Sequence, residues 1–146
     1  MPCIKIATLA DLDSLAELFD LYRVFYEQKS DIDGAKGFLR DRLTNKESVI
    51  FIAFDDNNPI GFVQLYPSFS SVSMNRTWVL NDLYVKKTVR GKGLGEQLLK
   101  KAINFAASTG AKGVSLETGK ENLTAQRLYE KMGFERESHY FYFLTL

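Results

Sequence analysis

The stretch TVRGKGLGEQLLKKAINFA, residues 88–106, decides how the fold is interpreted, because a glycine-rich turn runs directly into an amphipathic helix pattern. Apolar residues recur at helical spacing from Leu94 to Ala106, and Gly110 follows as a stop signal. The entrance, RGKGLG at 90–95, holds three glycines and two cations. Helix N-termini expose amides that bind anions, and glycine lets a ligand approach the backbone closely. The turn therefore predicts a phosphate or pyrophosphate site.

Two common phosphate-binding motifs do not fit the chain. The nearest approach to a Walker A motif, residues 113–121, has one spacer too many and Glu121 in place of the hydroxyl that binds magnesium. The dinucleotide fingerprint requires G-x-G-x-x-G, whereas residues 91–96 read GKGLGE. The pattern that remains is Arg-x-x-Gly-x-Gly. Alone, this short match is also compatible with a plain glycine-rich turn between a strand and a helix.

Composition predicts a single reduced domain that spans residues 1–146. The chain is 45% hydrophobic and 25% charged, and its net charge of +1 gives no general argument for nucleic acid or an anionic membrane. One cysteine and one histidine exclude an internal disulfide and leave no His/Cys zinc cluster, so no metal is expected. No apolar run is long enough for a membrane span and no signal-peptide pattern begins the chain. A cytoplasmic protein is expected.

Strand and helix patterns mix throughout, which predicts an α/β or α+β fold. Thr8 is a candidate N-cap for the first helix, and the final segment, SHYFYFLTL at 138–146, has a strongly strand-prone composition. That last strand is expected to pair across a dimer, to exchange between subunits or to complete the sheet of its own chain. The other predicted elements are a strand at 3–7, helices at 8–28, 35–44 and 122–134, a hairpin at 48–67, and strands at 77–87 and 113–118, the last of them buried.

Two motifs in order resemble the GCN5-related N-acetyltransferase (GNAT) superfamily. They are LNDLYVKKTVRGKGLGEQLL at 80–99 and NLTAQRLYEKMGF at 122–134. The likeness is nearest to yeast-type histone and polyamine acetyltransferases and to diamine acetyltransferases. It implies the GNAT fold, in which helices flank a mixed, mostly antiparallel central sheet whose parallel strands splay apart. It also implies an enzyme that transfers the acetyl group of acetyl-CoA to a primary amine in a ternary complex, and a homodimer.

The resemblance assigns residues to acetyl-CoA. The splayed strands would be NDLYVKK and GVSLET, and the backbone near Val85 would pair with the pantetheine arm and polarise the thioester carbonyl. The glycine turn would hold the pyrophosphate, and Asn122 would lie at the start of the last helix and touch the pantetheine or the adjoining turn. The full set is Leu83, Tyr84, Val85, Arg90, Gly91, Lys92, Gly93, Leu94, Gly95, Asn122 and Tyr129.

Two side chains are candidates for proton transfer. The resemblance makes Tyr129 the acid that protonates the leaving thiolate, although its helical neighbours by themselves also allow a core role. The amine must lose a proton before it attacks, and Asp82 is the first candidate base, with Glu117 and Glu27 as weaker ones. Asp82 could equally be a strand-edge residue paired with a cation. Diamine-acetylating relatives often carry glutamate where this chain has Asn81, which puts a two-carboxylate base in doubt.

The acceptor and the alternative functions rest on weaker patterns. Carboxylates near Tyr22 and Tyr26, namely Glu27, Asp31 and Asp33, would attract a polycation or form an ordinary solvated loop. A non-catalytic acyl-CoA sensor is the alternative function, and the cations of KKTVRGKG at 86–93 leave nucleic-acid binding as a third class. Cys3 is interpreted as a packing residue and His139 as a surface or strand residue.

Overall fold

The computed structural model describes residues 2–146, which divide into two compact units, the first ending at Leu116 and the second being Glu117–Leu146. The first unit contains a five-stranded sheet and three helices, and the second contains one helix. The elements of the first are β1 (Cys3–Ile6), α1 (Leu12–Phe25), α2 (Ile32–Thr44), β2 (Val49–Asp55), β3 (Asn58–Ser70), β4 (Asn75–Val85), α3 (Leu94–Ser108) and β5 (Val114–Ser115). The helix of the second is α4 (Leu123–Lys131).

The sheet is mixed and mostly antiparallel, as predicted. Its strand order is β1-β2-β3-β4-β5, and only β4 and β5 run parallel. Their ladder has two registered pairs, Trp78 with Val114 and Val79 with Ser115. Beyond Val79, β4 continues to Val85 without a β5 partner in the described part of the chain. The two parallel strands therefore pair only at their beginnings.

Helices cover both faces of the sheet because side chains alternate along each strand. On one face, α1 and α2 bury their leucines against the even-numbered apolar residues of β2 and β3, which include Ile52 and Phe62. On the opposite face, α3 packs Phe105 against Phe51 and Trp78. The buried stripe of α3 is Leu94, Leu98, Leu99, Ala102 and Ala106, which confirms the predicted amphipathic helix.

Side-chain caps fix where the first two helices begin. Thr8 and Asp11 form a capping box around a single 3-10 turn that leads into α1, which confirms Thr8 as an N-cap. Asp31 caps α2 by accepting from the amide of Gly34, so α2 begins three positions before the predicted residue 35. Asp20 is buried and accepts from the Ser30 hydroxyl and the Asp31 amide, which holds the connection between the two helices.

Three sequence predictions are wrong. GVSLET was expected to form a buried strand, but β5 contains only Val114 and Ser115, neither of them buried, because only β4 pairs with it. SHYFYFLTL at 138–146 forms no strand in the described chain, since strand propensity is realised only when a neighbouring strand supplies hydrogen bonds. Cys3 does not pack in a core: it is exposed on the edge strand β1.

The second unit has no buried core of its own. Helix α4 begins at the N-cap Asn122 and stops before Gly133, whose φ of 100° suits glycine. Among residues 117–146, all of which the structure describes, none is buried. Several apolar side chains of α4 are half-buried, including Leu128 and Tyr129.

Candidate active site

A β-bulge positions the candidate base. Gln64 on β3 pairs with Asp82 on β4, whereas the next residue, Leu65, pairs with Leu80, so Asn81 is the extra residue of the bulge. A bulge redirects the side chains around it and is common beside functional sites. Here it sets Asp82 directly across the ladder from Gln64.

Asp82 is a buried carboxylate with three hydrogen-bonding neighbours. Asp82 is only 4% exposed. Gln64 Nε2 donates to its Oδ2 at 2.6 Å, Asn81 Nδ2 donates to its Oδ1 at 3.1 Å, and Tyr22 also hydrogen-bonds to it. Burial raises the pKa of Asp82 above the ordinary value, although these three hydrogen bonds favour the ionised form and offset part of the shift. A carboxylate with a raised pKa accepts a proton more readily, as a general base must.

Two further side chains complete this polar cluster. Burial, together with the charge of Asp82, raises the pKa of Tyr66 to about 12, and the cation of Arg42 lowers it only in part. The Tyr66 hydroxyl therefore stays protonated at neutral pH. Gln64 is fully buried, and its Oε1 has no hydrogen-bond partner among the described residues.

Sequence reasoning missed Gln64 and Tyr66. The available signal was a glutamine inside the apolar run IGFVQLYP of β3, where a polar side chain is unexpected unless it has a partner. The partner itself is 18 positions away on the next strand, and only the register identifies it.

Aromatic rings surround the Asp82 cluster on the same face of the sheet. The ring of Tyr22 lies 5.0 Å from that of Tyr26, 5.8 Å from Phe62 and 6.1 Å from Tyr84, measured between centroids. All three pairs meet edge to face, a favoured geometry for aromatic contacts. Tyr22, which hydrogen-bonds to Asp82, connects this group of rings to the carboxylate.

The glycine turn has the geometry that an anion site needs. Gly91 and Gly93 have φ angles of 82° and 81°, values that favour glycine, and nothing lies within 4 Å of a Cβ built at either position. In the described chain no side chain caps α3 at Gly93, so the first amides of this helix are left for a ligand. Lys92 is exposed beside them. Backbone donors, open space and a cation together fit the pyrophosphate of acetyl-CoA.

Arg90 lies within this turn, but its side chain contacts other residues of the chain. Its Nε donates to the carbonyl of Val85 at 2.9 Å, and its guanidinium carbon lies 5.2 Å from the ring centroid of Phe25 and 5.6 Å from that of Tyr84. The side chain thus connects the turn to the ends of β4 and α1. Leu94 has a buried side chain, so only its backbone can serve a ligand.

The last residues of β4 have backbone amide and carbonyl groups on the side away from β3. Leu83, Tyr84 and Val85 pair with Val63, Phe62 and Gly61 of β3. Because β5 pairs with β4 only as far as Val79, no described strand occupies the other side of this segment. That is the arrangement in which a pantetheine arm could form strand-like hydrogen bonds.

The remaining candidates of the second unit lie on or near α4. Asn122 Oδ1 accepts from the amide of Ala125 at 3.2 Å and so caps the helix. Tyr129 is half-buried and its ring meets that of Phe134 edge to face at 5.9 Å. Glu117 is exposed, and His139 is an exposed residue 3.8 Å from a carboxylate oxygen of Glu137.

The acidic residues expected near the acceptor have different roles. Asp31 is occupied as the N-cap of α2. Glu27 and Asp33 are exposed, and Glu27 has a φ of 65°, in the left-handed region. Among residues 2–146, no group of three or more His, Cys, Asp or Glu side chains could hold a metal ion. None of the described helices is long and apolar enough to cross a membrane.

Comparison with known proteins identifies the family of this chain. Residues 13–134 match the model of the acetyltransferase (GNAT) family, so the chain belongs to that family. It is an N-acetyltransferase, because the members of this family are acetyl-CoA-dependent transferases and its relatives are named as N-acetyltransferases.

Among the similar proteins is the uncharacterized N-acetyltransferase YhfO of Bacillus subtilis, which is 46% identical over 140 residues, covering 96% of this chain and 94% of that one. The crystal structure of a probable acetyltransferase is 42% identical, with a TM-score of 0.93, and the match covers 99% of this chain and 97% of that one. A predicted acetyltransferase from Clostridium acetobutylicum, crystallised with acetyl-CoA, shares the fold at a TM-score of 0.81 and 18% identity, over 99% of this chain and 96% of that one.

Proposed function

We propose that this enzyme transfers the acetyl group of acetyl-CoA to a primary amine by direct attack, in a complex that holds both substrates. The acceptor is a polyamine, another small amine or a protein lysine. The observation that carries the proposal is the buried carboxylate of Asp82, whose pKa is raised and which Gln64, Asn81 and Tyr22 hold in place. A group of this kind suits the removal of a proton from an alkylammonium.

Asp82 and Tyr129 are the two side chains proposed to transfer protons in this reaction. Acetyl-CoA supplies the acetyl group as a thioester. Asp82 first receives one proton from the alkylammonium, and the neutral amine then forms a C–N bond as the C–S bond breaks. Tyr129 gives a proton to the departing sulfur, the second proton that the nitrogen loses on becoming an amide restores Tyr129, and the proton on Asp82 passes to solvent. Asn81 donates a hydrogen bond to Asp82, so the second carboxylate of diamine-acetylating relatives is replaced here by a neutral donor that favours the ionised base.

The proposed acetyl-CoA site uses mostly backbone. The amides of Gly91 to Gly95 and the ammonium of Lys92 bind the pyrophosphate, and the backbone of Leu83 to Val85 binds the pantetheine. One amide of that strand segment polarises the thioester carbonyl. Arg90 contributes through its hydrogen bond to Val85, which fixes the turn against the end of the strand. Asn122 positions α4, which carries Tyr129.

The aromatic rings support a cationic acceptor. The guanidinium of Arg90 already lies over the rings of Phe25 and Tyr84, which shows that these faces accept a cation. The neighbouring rings of Tyr22 and Tyr26 would offer the same attraction to an alkylammonium, as polyamines and lysine side chains carry. We further propose that the chain acts as one domain, in the cytoplasm, and as a homodimer.

The first experiment measures free-thiol release from acetyl-CoA with a panel of amines. The panel contains spermidine, a diamine, lysine, thialysine, a histone-tail peptide, free amino acids and an aminoglycoside. We expect release with one basic class. Silence across the panel, together with tight acetyl-CoA binding in calorimetry, would contradict the proposed acceptors and favour the sensor function.

Tyr129→Phe tests the proposed acid in the same assay. We expect turnover to fall about 100-fold or more, because general acid–base groups contribute on the order of 10²–10⁴-fold, while acetyl-CoA affinity changes little. The matched control is Asp56→Asn, an exposed carboxylate in the β2–β3 turn whose φ of 56° suits asparagine. Equal losses of turnover and of affinity in Tyr129→Phe would identify Tyr129 as a packing residue.

A further inference from the structure

The proposed base is covered by its own hydrogen-bonding neighbours. Asp82 is only 4% exposed. Its donors are Gln64 on β3, Asn81 in the bulge and Tyr22 on α1. A general base must lie within hydrogen-bond reach of the proton that it removes, or one water molecule away from it. An acceptor amine that cannot contact Asp82 therefore needs a group that carries its proton inward.

Only one of these three donors is suited to carry a proton. Gln64 and Asn81 are amides, which donate hydrogen bonds from nitrogen and accept them at a separate oxygen. The phenolic oxygen of Tyr22 donates and accepts at one atom. Tyr22 can therefore release its own proton to Asp82 while the same oxygen takes another proton from a substrate.

Tyr22 also has the partial exposure that contact with a substrate requires. Its side chain packs against the hydrophobic core, yet the residue is half-buried, whereas Asp82 and Gln64 are buried. Asn81 is exposed, but its amide does not carry a proton from one atom to another. Tyr22 therefore combines a hydrogen bond to the buried base with a surface that a ligand can contact.

The position of Tyr22 relative to β4 supports contact with the reacting groups. Its ring lies 6.1 Å from that of Tyr84, edge to face, measured between centroids. Tyr84 belongs to the segment Leu83–Val85, whose backbone is proposed to bind the pantetheine and to polarise the thioester carbonyl. Phe62 holds the same ring from β3 at 5.8 Å, also edge to face. Tyr22 is thus fixed beside both the buried carboxylate and the strand segment assigned to the acetyl donor.

A second tyrosine near Asp82 lacks this connection. Tyr66 of β3 is close enough for the charge of Asp82 to raise its pKa and for the charge of Arg42 on α2 to lower it in part. In the described chain, however, Tyr66 donates no hydrogen bond to Asp82. Of the two tyrosine hydroxyls that face this carboxylate, Tyr22 is therefore the one connected to it.

We propose that the hydroxyl of Tyr22 relays a proton from the acceptor amine to Asp82, which makes Tyr22 a further catalytic residue. This inference rests on the proposed function. One N–H bond of the alkylammonium breaks and its proton binds the oxygen of Tyr22, as the O–H bond of Tyr22 breaks and that proton binds Asp82. The nitrogen keeps the electron pair with which it attacks the thioester. Tyr22 is a neutral phenol before and after the transfer, and Asp82 ends as a neutral acid.

NMR titration tests the link between Tyr22 and Asp82 without any acceptor. The carboxyl carbon of Asp82 is followed against pH in the original chain, in Tyr22→Phe and in Tyr142→Phe, the control at a 90% exposed ring. Circular dichroism confirms that both variants are folded. Tyr22 donates to the ionised carboxylate, so loss of its hydroxyl should raise the pKa of Asp82 further, in Tyr22→Phe alone. An unchanged titration in Tyr22→Phe would overturn the relay.

Thiol release with the reactive amine tests the transfer itself. At pH 7 we expect Tyr22→Phe to lower kcat/KM on the order of 100-fold, with acetyl-CoA affinity unchanged in calorimetry. The loss should shrink towards pH 9, because the neutral fraction of an alkylammonium rises about tenfold per pH unit below its pKa, and a neutral amine needs no relay. A merely structural defect would lower kcat/KM by the same factor at every pH. A constant factor, or no loss, would overturn the relay.

Asp82→Asn separates failure of the relay from failure of the proposed function. Loss of activity in Asp82→Asn with full activity in Tyr22→Phe would refute the relay and leave Asp82 as the base. Full activity in both variants would refute Asp82 as the base, and the proposed mechanism with it. The double variant Tyr22→Phe/Asp82→Asn should be no slower than the slower single variant, because both groups handle one proton. Losses that multiply, or a larger loss in Tyr66→Phe than in Tyr22→Phe, would overturn the relay.

Discussion

The two compact units of this protein differ in what stabilises them. The first, which ends at Leu116, has a buried core that includes Ile50 and Phe62 of the sheet and Leu98 of α3. The second, Glu117–Leu146, contributes one helix and no buried residue in the described chain. Hydrophobic burial is the dominant favourable term in folding, so the first unit contains nearly all of the stability that a single copy can have.

The difference also separates two kinds of functional residue. Asp82 and the glycine turn belong to the well-packed unit, where burial can shift a pKa and a bulge can fix an orientation. Tyr129 and Asn122 belong to the unit with little buried surface, where local capping maintains the helix. The first group depends on the core, whereas the second depends on the local contacts that maintain α4.

Replacing one buried and one exposed phenylalanine with alanine should give the largest contrast in stability between the two units. Phe62→Ala removes a ring that is 1% exposed and is expected to lower the free energy of unfolding by about 3–5 kcal/mol. Phe143→Ala, at an 81% exposed ring, should cost under about 0.5 kcal/mol when the protein is dilute enough to be monomeric. Urea unfolding at low protein concentration measures both. Similar losses would mean that the second unit is packed within one chain.

Asp82→Asn should change the pH dependence of both activity and stability. The raised pKa means that ionisation of Asp82 costs folding energy: its contribution is most favourable below the ordinary value of 3.8 and is lost as the pH rises through the folded pKa. Asparagine cannot ionise and so avoids this cost. The difference between the melting temperature of the variant and that of the original chain should therefore shift in favour of the variant as the pH rises from 4 to 8. Turnover should fall on the order of 100-fold, and the acidic limb of the rate profile assigned to Asp82 should disappear.

Glu117→Gln is the matched change in the second unit. Glu117 is exposed, so neither the melting temperature nor the pH profile should respond. A pH-independent difference for Asp82→Asn, or an equal response in Glu117→Gln, would contradict the assignment of Asp82 as the base.

Gly93→Ala should weaken acetyl-CoA binding. The substitution adds a Cβ at a φ of 81°, which costs about 1–2 kcal/mol of backbone strain, and it narrows the open space above the turn. We expect stability to fall by about that amount and acetyl-CoA affinity to fall as well, measured by calorimetry. Gly110→Ala is the control, because Gly110 follows the other end of α3 and has a similar φ of 76°. This variant should carry the same backbone strain, but its affinity for acetyl-CoA should be unchanged. Unchanged affinity in Gly93→Ala would remove the turn from the site.

Gly37→Ala should have the smallest effect on stability of the three glycine substitutions, and it should raise stability where the other two lower it. Gly37 lies within α2 and nothing lies within 4 Å of an added Cβ. Alanine reduces the conformational entropy of the unfolded chain, so stability should rise by about 0.4–1 kcal/mol in urea unfolding, with activity unchanged. A loss of stability would show that α2 requires flexibility at this position.

The sequence by itself determined the elements whose signals are local. The cap at Thr8 and the stripe of α3 are set by residues within a few positions of one another, because helix hydrogen bonds and caps join near neighbours. The glycine turn belongs to the same class. The order of the two motifs predicted the family, and the family match confirmed it.

Only the tertiary structure decided the surroundings of Asp82 and the state of the C-terminus. The partners of Asp82 come from α1 and β3, and the bulge at Asn81 is a property of strand register, which no single segment contains. Strand-prone composition likewise did not make SHYFYFLTL a strand. A strand exists only where another supplies its hydrogen bonds, so its formation depends on residues that lie outside the segment itself.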